Sequence, residues 1–259
     1  MLKKRLIPKL LIKTIVINNK KKLALVTTKK FKEFSIIGDA VSQSKIYQSQ
    51  KSDELIILFI DKNLNLSEKI YIEFINNFAK ETFMPITIGG GVKLIKNFDF
   101  LLSNGADKIS VNSCLFSNPN LVKKAVLRFG SQCIIASLDF IENSQGVFIF
   151  NRSKNKFFNI NPTSFIKRIE DLGVGEILLT DINRDGMGKG INIKIAEIFS
   201  TISSVPIIIS GGCSLASHFS ECFMESKVSA ISASTFFSFK DQNILQTRAQ
   251  IKNAGVNLR

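Results

Sequence analysis

The chain of 259 residues has no tryptophan, one histidine and four dispersed cysteines: Cys114, Cys133, Cys213 and Cys222. Zinc sites need three or four well-spaced side-chain ligands, and the sequence has no Cys-x-x-Cys pair. We therefore expect no metal ion and no other cofactor. Disulfide frameworks belong mainly to small secreted chains, so this cysteine usage is typical of reduced thiols in a cytoplasmic protein.

Long apolar runs are also missing. No run approaches the roughly 18 residues that a membrane-spanning helix needs, and Lys9 and Lys13 interrupt the N-terminal run LIPKLLIK at 6–13. No small-residue cleavage site follows this run, so we expect no signal peptide and no membrane partner. With 45% hydrophobic and 22% charged residues, the composition is that of a globular protein.

Negative charge is scarce, which leaves a formal net charge of +14. Such an excess of positive charge makes nucleic acid a partner to consider. However, the lysines are spread along the chain, with small clusters at 20–22 and 29–30 and no long basic tail. Nucleic acid is therefore not the expected partner, and a basic surface would also suit a phosphorylated small molecule.

Short β-branched runs alternate with helical stretches along the whole chain. Eight runs are candidate strands: 6–11, 54–60, 85–89, 108–112, 133–139, 176–182, 206–210 and 229–233. Asn118-Pro119 and Asn161-Pro162 each predict a helix start, because asparagine caps helices and proline suits the first turn. Eight strands, each followed by a helix after a short loop, predict an α/β fold, a parallel (β/α)8 TIM barrel, as one domain over 1–259.

An internal repeat strengthens this prediction. PITIGGG at 85–91 matches PIIISGG at 206–212 at an offset of 121 residues, which also carries 111–113 onto 232–234. Leu11 matches Asp139 at an offset of 128. A barrel with two-fold half-barrel symmetry, four βα units in each half, explains the repeat, whereas a doubly wound open sheet would not need it.

Glycine-rich loops follow candidate strands three and seven. In (β/α)8 barrels, functional groups lie at the carboxyl ends of the strands. Glycines there let backbone N–H groups approach an anion closely, and the following helix N-terminus attracts negative charge. The duplicated loops predict two phosphate sites on opposite sides of one barrel mouth, and hence a ligand with a phosphate at each end.

Acid–base chemistry would lie between these two sites, where strands one and five end. Two facing carboxylates could act there as acid and base. Asp139 supplies one of them, whereas Leu11 does not supply the other. Asp185, in the loop DINRDGMGKG, is a further candidate, although Asp-Gly is also an ordinary turn sequence.

Several longer motifs carry a family resemblance: KKRLIP, DELIIL, IGGGVK, GADKISVNS, FGSQCIIASLD, GVGEILLT, INRDG and SGG. Over nearly its whole length the chain resembles the cyclase subunit (HisF) of imidazole glycerol phosphate synthase. In that family a glutaminase subunit makes ammonia, which crosses the barrel and reacts with a bis-phosphorylated ribulosyl-formimino ribonucleotide. The resemblance implies the same fold, a glutaminase partner as a heterodimer and a phosphorylated substrate.

The resemblance also assigns site residues one by one. Phosphate and substrate contacts would be Gly91, Asn112 and Ser113 at one end, with Thr180, Asp185, Gly186, Gly212, Ala233 and Ser234 at the other. Asp139 matches one of the family's two catalytic aspartates, and the other falls on Leu11. Further departures are Thr27 in place of a substrate-loop lysine, Phe59 in place of a strand-two aspartate, and Asn183 in place of an aspartate. Asp61, two residues after Phe59, is the one carboxylate that could substitute.

The opposite mouth keeps all of the family's matching charged residues, whereas the active mouth lacks one catalytic aspartate. The family gates ammonia entry with four charged residues, which fall here on Arg5, Glu54, Lys108 and Glu176. Asp107, beside them, matches a contact to the glutaminase. Without the resemblance, a purely structural ring of salt bridges would be the preferred interpretation.

Three hypotheses remain open. The chain could be an ordinary cyclase of histidine biosynthesis that tolerates Leu11. It could be a second-copy paralogue that relays ammonia to a sugar amidotransferase in surface-polysaccharide synthesis, where the family shows the same leucine. It could also be a non-catalytic scaffold that only activates its glutaminase. A gene position beside histidine genes or beside sugar-nucleotide genes would separate the first two.

Overall fold

Twelve strands are formed within the residues that the computed structural model describes, which are 3–62, 64–239 and 243–259. In chain order the strands are β1 (Arg5–Ile17), β2 (Lys20–Lys29), β3 (Glu33–Gly38), β4 (Leu55–Phe59), β5 (Ile86–Gly89), β6 (Lys108–Val111), β7 (Ile134–Asn143), β8 (Gly146–Asn151), β9 (Lys156–Ile160), β10 (Glu176–Asp181), β11 (Ile207–Ser210) and β12 (Ala230–Ala233). The eight predicted strands correspond to eight of these and are confirmed.

Helices follow the barrel strands along the chain. They are α1 (Ala40–Ser49), α2 (Lys69–Glu81), α3 (Ile95–Ser103), α4 (Ser113–Ser117), α5 (Pro119–Phe129), α6 (Pro162–Glu170), α7 (Ile193–Ile202), α8 (Ala216–Glu225), α9 (Thr235–Ser238) and α10 (Ile244–Asn253). The two predicted helix starts are confirmed. Asn118 caps α5 and Asn161 caps α6, each by accepting a backbone N–H from the first turn.

Eight parallel strands close into a barrel in the order β1, β4, β5, β6, β7, β10, β11, β12 and back to β1. The closing register pairs Arg5 with Ala230, and the two halves also meet where Val111 of β6 pairs with Ala136 of β7. The predicted (β/α)8 barrel is therefore confirmed. All eight carboxyl ends lie at one mouth of such a barrel, and all eight amino ends lie at the other.

Two β-hairpins extend the barrel beyond the expected plan. β2 and β3 follow β1 as antiparallel strands, and β8 and β9 follow β7 in the same way. The expectation of only short loops after each strand was wrong at these two places. Because β1 and β7 are equivalent strands in the sequence repeat, the two insertions occupy the same position in each half-barrel.

Helix capping repeats the half-barrel symmetry at the level of single contacts. Before α3, the Asn97 side chain accepts the backbone N–H of Leu94 at 2.9 Å. Before α8, the ring Nδ1 of His218 accepts the N–H of Leu215 at 3.4 Å. His218 stands 121 residues after Asn97, the offset of the glycine loops. The single histidine therefore caps a helix.

Candidate active site at the carboxyl mouth and the charged ring opposite

Alternate residues of β1 point into the barrel and mark its depth. Arg5 lies at the amino mouth, Ile7 and Lys9 follow above it, and Leu11 lies at the carboxyl mouth. Side chains alternate between the two faces of a strand, so residues two apart share one face. Inside the barrel, Ile7 belongs to an apolar layer completed by Ile56, Ile135, Leu178, Ile208 and Ala230.

The four charged residues at the amino mouth form a closed ring. Arg5 donates to Glu54 at 2.8 Å and also to Glu176. Lys108 completes the ring, with its Nζ 3.1 Å from Glu54 and 3.0 Å from Glu176. Each cation therefore bridges both carboxylates across the barrel axis. Beside the ring, the exposed Asp107 accepts the backbone N–H of Ile86 at 2.8 Å.

Electrostatics within the ring favour the charged forms. Burial alone would raise the pKa of Glu54, but Arg5 and Lys108 outweigh it and hold that pKa below its ordinary value. Burial would likewise lower the pKa of Arg5, and the two glutamates instead raise it. Glu54 and Arg5 therefore stay ionised at neutral pH, and the ring closes one end of the apolar interior.

A cavity of about 270 Å³ opens at the carboxyl mouth beside the second glycine loop. Five of the six residues predicted to bind phosphate in this half line it: Asp185, Gly186, Gly212, Ala233 and Ser234. Gly186 and Gly212 have positive φ angles of 67° and 98°. A side chain at either position would run into a backbone carbonyl, that of Thr28 or of Gly190. These glycines are therefore required by the loop itself, whatever the cavity binds.

The loop after β10 is held by its own charged residues. Asp181 accepts the backbone N–H groups of Asn183 and Arg184 at 2.9 and 3.2 Å. The guanidinium of Arg184 donates to the carbonyl oxygens of Lys189 and Gly190, both at 3.1 Å. Burial raises the pKa of Asp181 above its ordinary value. Asn183 itself is exposed, so its replacement of an aspartate leaves this loop intact.

The hairpin of β2 and β3 covers the same loop. Thr28 donates its hydroxyl to Asp185 at 2.6 Å, and the backbone N–H of Lys30 donates to the Asp185 carbonyl at 3.0 Å. Burial raises the pKa of Asp185, although Lys9 and the Thr28 hydroxyl act in the opposite direction. Thr27, which stands where the family has a lysine, is a buried residue of β2 within this hairpin.

The first half-barrel is arranged differently. Gly91 has a φ of 69°, and a Cβ there would collide with the side chain of Leu64. Asn112 donates to Asp139 at 3.0 Å, while Ser113 is exposed at the start of α4. The structure thus brings Asn112 to the predicted catalytic residue, and its contact with a phosphate stays a prediction.

Asp139 is buried at the end of its barrel strand and carries an ion pair. Its carboxylate accepts from Asn112 and from the Nε of Arg152, the latter at 2.8 Å. Arg152 follows β8, and its guanidinium lies 5.2 Å from the Phe31 ring centroid in the turn after β2. The tips of the two hairpins therefore meet over the barrel mouth. Thr180, beside Asp139 in the sheet register, is buried next to this pair.

Leu11 lies in an apolar cluster where the repeat predicts a partner for Asp139. The cluster joins Leu11 to Ala24 and Val26 of β2, with Ile15, Leu58 and Ile60 packed against it. Asp61, the carboxylate named as a possible substitute, contacts β1. Its Oδ2 accepts the backbone N–H and hydroxyl of Thr14 at 2.9 and 2.8 Å. Phe59 faces the helical layer, with its ring centroid 5.4 Å from that of Tyr71. A role for Asp61 at the mouth stays a prediction.

Two charged residues of this mouth escaped the sequence prediction. Arg152 stands in a hairpin that was not predicted. Lys9 could have been found, because it lies between Ile7 and Leu11 on the inward face of β1. The lysine is 3% exposed, and its Nζ donates to Ser210 at 2.7 Å.

Comparison with known proteins decides the family. The profile of the histidine biosynthesis protein family matches residues 10–242. A HisF subunit of imidazole glycerol phosphate synthase from Staphylococcus carnosus (strain TM300) is 33% identical over 261 residues, covering 100% of this chain and 99% of its own. The chain belongs to the HisF family.

Other HisF proteins show similar likeness. That of Hydrogenobaculum sp. (strain Y04AAS1) is 34% identical over 232 residues, covering 88% of this chain and 91% of its own. A protein of Prochlorococcus marinus (strain MIT 9313) carries the provisional name imidazole glycerol phosphate synthase subunit hisF2. It is 36% identical over 262 residues, covering 100% and 99% of the two chains. Among the described residues of this HisF family member, no helix is long and apolar enough to cross a bilayer.

Proposed function

We propose that this HisF family member receives ammonia from a glutaminase subunit and relays it to another enzyme, instead of cyclising a ribonucleotide itself. The observation that carries the proposal is the apolar cluster around Leu11. Ammonia would enter at the charged ring, cross the apolar layer above it and emerge at the carboxyl mouth. The recipient we propose is a sugar amidotransferase, since the family branch with this leucine accompanies such enzymes.

The charged ring supports docking of a glutaminase at the amino mouth. All four ring residues are in place and paired across the barrel axis. A charged ring below this apolar layer would hold back charged solutes, while a small neutral molecule could pass when the ring opens. Asp107 presents an exposed carboxylate beside the ring for the partner to contact.

The carboxyl mouth supports the loss of cyclase chemistry. An acid–base pair needs two groups that can exchange protons. Leu11 cannot accept a proton, Asp61 is engaged by Thr14, and Asp139 is paired with Arg152. With one carboxylate removed and the other held in an ion pair with Arg152, we expect the acid–base contribution to cyclisation to be absent.

A true cyclase of histidine biosynthesis remains the second candidate. The cavity beside Gly212 and Ser234 favours it, because a phosphorylated substrate is what those loops would bind. The relatives named HisF favour it as well. A scaffold that only activates its glutaminase is a third candidate, and it would need no continuous path through the barrel.

The experiment combines the chain with a HisH-type glutaminase subunit and the candidate amidotransferase. We expect glutaminase activity to rise when the chain is added, and glutamine to support amidination of the sugar only when all three proteins are present. Ammonium chloride should bypass both the glutaminase and the chain. Glutaminase activation without any glutamine-dependent product would overturn the relay and leave the scaffold.

A further inference from the structure

Lys9 is a buried amine that neither ammonia relay nor phosphate binding uses. It lies above the apolar layer of the barrel and is 3% exposed. An ammonium group has three donors. Within the described part of the chain, the Lys9 Nζ makes one hydrogen bond, to the Ser210 hydroxyl at 2.7 Å. The amine is thus held on one side and leaves donor capacity on the others.

The same amine lines the cavity at the carboxyl mouth. Lys9 shares that cavity with Gly186 and Gly212, two of the residues predicted to bind phosphate. Ser234, also on the cavity wall, has a buried hydroxyl without a hydrogen-bond partner among the described residues. A buried polar group without a partner costs free energy, so its retention points to a ligand that fills the cavity. Anion-binding loops and an amine therefore face one small space.

We propose that Lys9 forms an imine with the carbonyl carbon of a small phosphorylated ketose or aldehyde whose phosphate lies on the loops at Gly186 and Gly212. The Nζ lone pair attacks the carbonyl carbon, and the C=O bond becomes a C–OH bond in a carbinolamine. Loss of that oxygen as water gives the C=N bond. One carbonyl compound and one amine thus give one imine and one water, with no oxidant or reductant.

The surroundings of Lys9 suit this step. A nucleophilic lysine must be neutral, and enzymes obtain a neutral lysine by removing it from water. Burial lowers the pKa of Lys9, although the carboxylates of Asp185 and Asp139 act in the opposite direction. Asp185 lines the same cavity and can carry the proton that leaves with the water. This inference is independent of the proposed ammonia relay, because it concerns the chain alone.

Borohydride trapping tests the proposal without any partner protein. The purified chain is incubated with dihydroxyacetone phosphate, reduced with sodium borohydride and analysed by mass spectrometry. Reduction fixes the imine as a secondary amine, so the intact mass should rise by the mass of the ketose phosphate less one oxygen atom. Peptide mapping should place this adduct on Lys9. Dihydroxyacetone without the phosphate should label at least tenfold less, and excess inorganic phosphate should reduce the labelling.

Variants distinguish imine formation by the Lys9 amine from the effect of its positive charge and from a loss of folding. Lys9→Arg keeps the charge but cannot form the imine, and Lys9→Met keeps the length without charge; both should lose the adduct. Lys13→Met, on the same strand but outside the barrel, should keep it, and circular dichroism should show that each variant is folded. The proposal is overturned if the wild-type chain gives no adduct, if mapping finds it on other lysines, or if Lys9→Arg is labelled equally.

Discussion

Leu11 and Asp139 end equivalent barrel strands, yet their surroundings differ in kind. Leu11 packs among aliphatic side chains of the neighbouring hairpin, whereas Asp139 accepts hydrogen bonds from Asn112 and Arg152. A carboxylate at position 11 would have to be buried in that aliphatic cluster. The replacement therefore involves the hairpin as well as one side chain.

Ser234 offers a test of phosphate binding that leaves the glycine loops intact. Ser234→Ala removes a buried hydroxyl that lacks a partner among the described residues. We expect stability to stay unchanged or to rise by up to about 1 kcal/mol. Affinity for glycerol 3-phosphate should fall about tenfold, which corresponds to ~1.4 kcal/mol. Calorimetric titration and thermal unfolding measure the two effects.

Ser217→Ala is the matched control, because Ser217 is exposed on α8 and remote from the cavity lining. It should change neither quantity. Equal affinities in Ser234→Ala and in the wild-type chain would remove Ser234 from the binding site.

Reversal of one ring charge tests whether the charged ring at the amino mouth acts as a gate for ammonia. Lys108→Glu places a third carboxylate between Glu54 and Glu176. We expect a loss of about 3 kcal/mol in unfolding free energy, the lower end for buried ion pairs, because the Lys108 side chain is 22% exposed. Coupling of glutamine hydrolysis to ammonia use should also weaken. Lys123→Glu, on the exposed face of α5, makes the same charge change and should do neither. Normal coupling in Lys108→Glu would contradict the role of the ring as a gate.

At the scale of elements, the two hairpins decide how the mouth is covered. The hairpin of β2 and β3 reaches Asp185 through Thr28. The hairpin of β8 and β9 reaches Asp139 through Arg152. Each hairpin thus holds a carboxylate that belongs to a barrel strand end or its loop, and their tips meet at Phe31.

Thr28→Val tests whether the first hairpin supports the phosphate loop. The substitution keeps shape and removes the hydroxyl that Asp185 accepts at 2.6 Å. Because Asp185 then loses a buried partner, the loop should loosen, and glycerol 3-phosphate should bind several-fold more weakly. Thr27→Val, at the neighbouring buried threonine, is the control and should bind normally. Equal binding in both variants would separate the hairpin from the cavity.

The barrel strands could be predicted from the sequence, but the hairpins could not. Barrel strands are short β-branched runs, and the repeat identifies them in both halves of the chain. In β2, lysines mask the strand pattern, although Asn18-Asn19 before it is a usable signal. Both residues have positive φ, of 50° and 59°, as tight hairpin turns require. The next turn uses Lys30 and Phe31 with φ of 50° and 60°, which nothing in the sequence indicates.

The site divides in the same way. The five cavity residues follow barrel strands or begin the loops after them, so the fold alone brings them together. The position of Arg152 depends on the hairpin of β8 and β9, so the sequence did not predict that this residue reaches the mouth. The position of Lys9 follows from strand alternation alone. A lysine on the inward face of a barrel strand is unusual enough that the sequence could have identified it.

At the scale of the whole molecule, the two half-barrels share strands and helix caps but differ at the carboxyl mouth. Their helix caps at Asn97 and His218 keep one offset, whereas their mouths do not match. The second half has an open cavity, while in the first half Asn112 is drawn to Asp139. The expected symmetric pair of phosphate sites therefore stays a prediction in both halves, and a cavity beside the predicted residues supports it in the second half.

Stability against acid tests the ionised ring across the whole fold. Folding lowers the pKa of Glu54 from its ordinary value of 4.5. Stability from a lowered pKa is present above the unfolded value and is lost as the pH falls through the folded value. The urea concentration at the unfolding midpoint of the wild-type chain should therefore decrease as the pH is lowered below about 5. In Glu54→Gln the midpoint should be lower at neutral pH and fall less steeply. Parallel curves for the two proteins would contradict an ionised Glu54.

Cyclase turnover by the chain alone tests the central claim most directly. The ribulosyl-formimino ribonucleotide and ammonium chloride are supplied together, which bypasses any glutaminase, and formation of the imidazole product is measured. Acid–base catalysis by one positioned group contributes about 10²–10⁴-fold. We predict negligible turnover by the wild-type chain and partial recovery in Leu11→Asp, with Asp61→Asn unchanged from the wild type. Turnover by the wild-type chain at the rate of a dedicated cyclase would contradict the relay and return this chain to histidine biosynthesis.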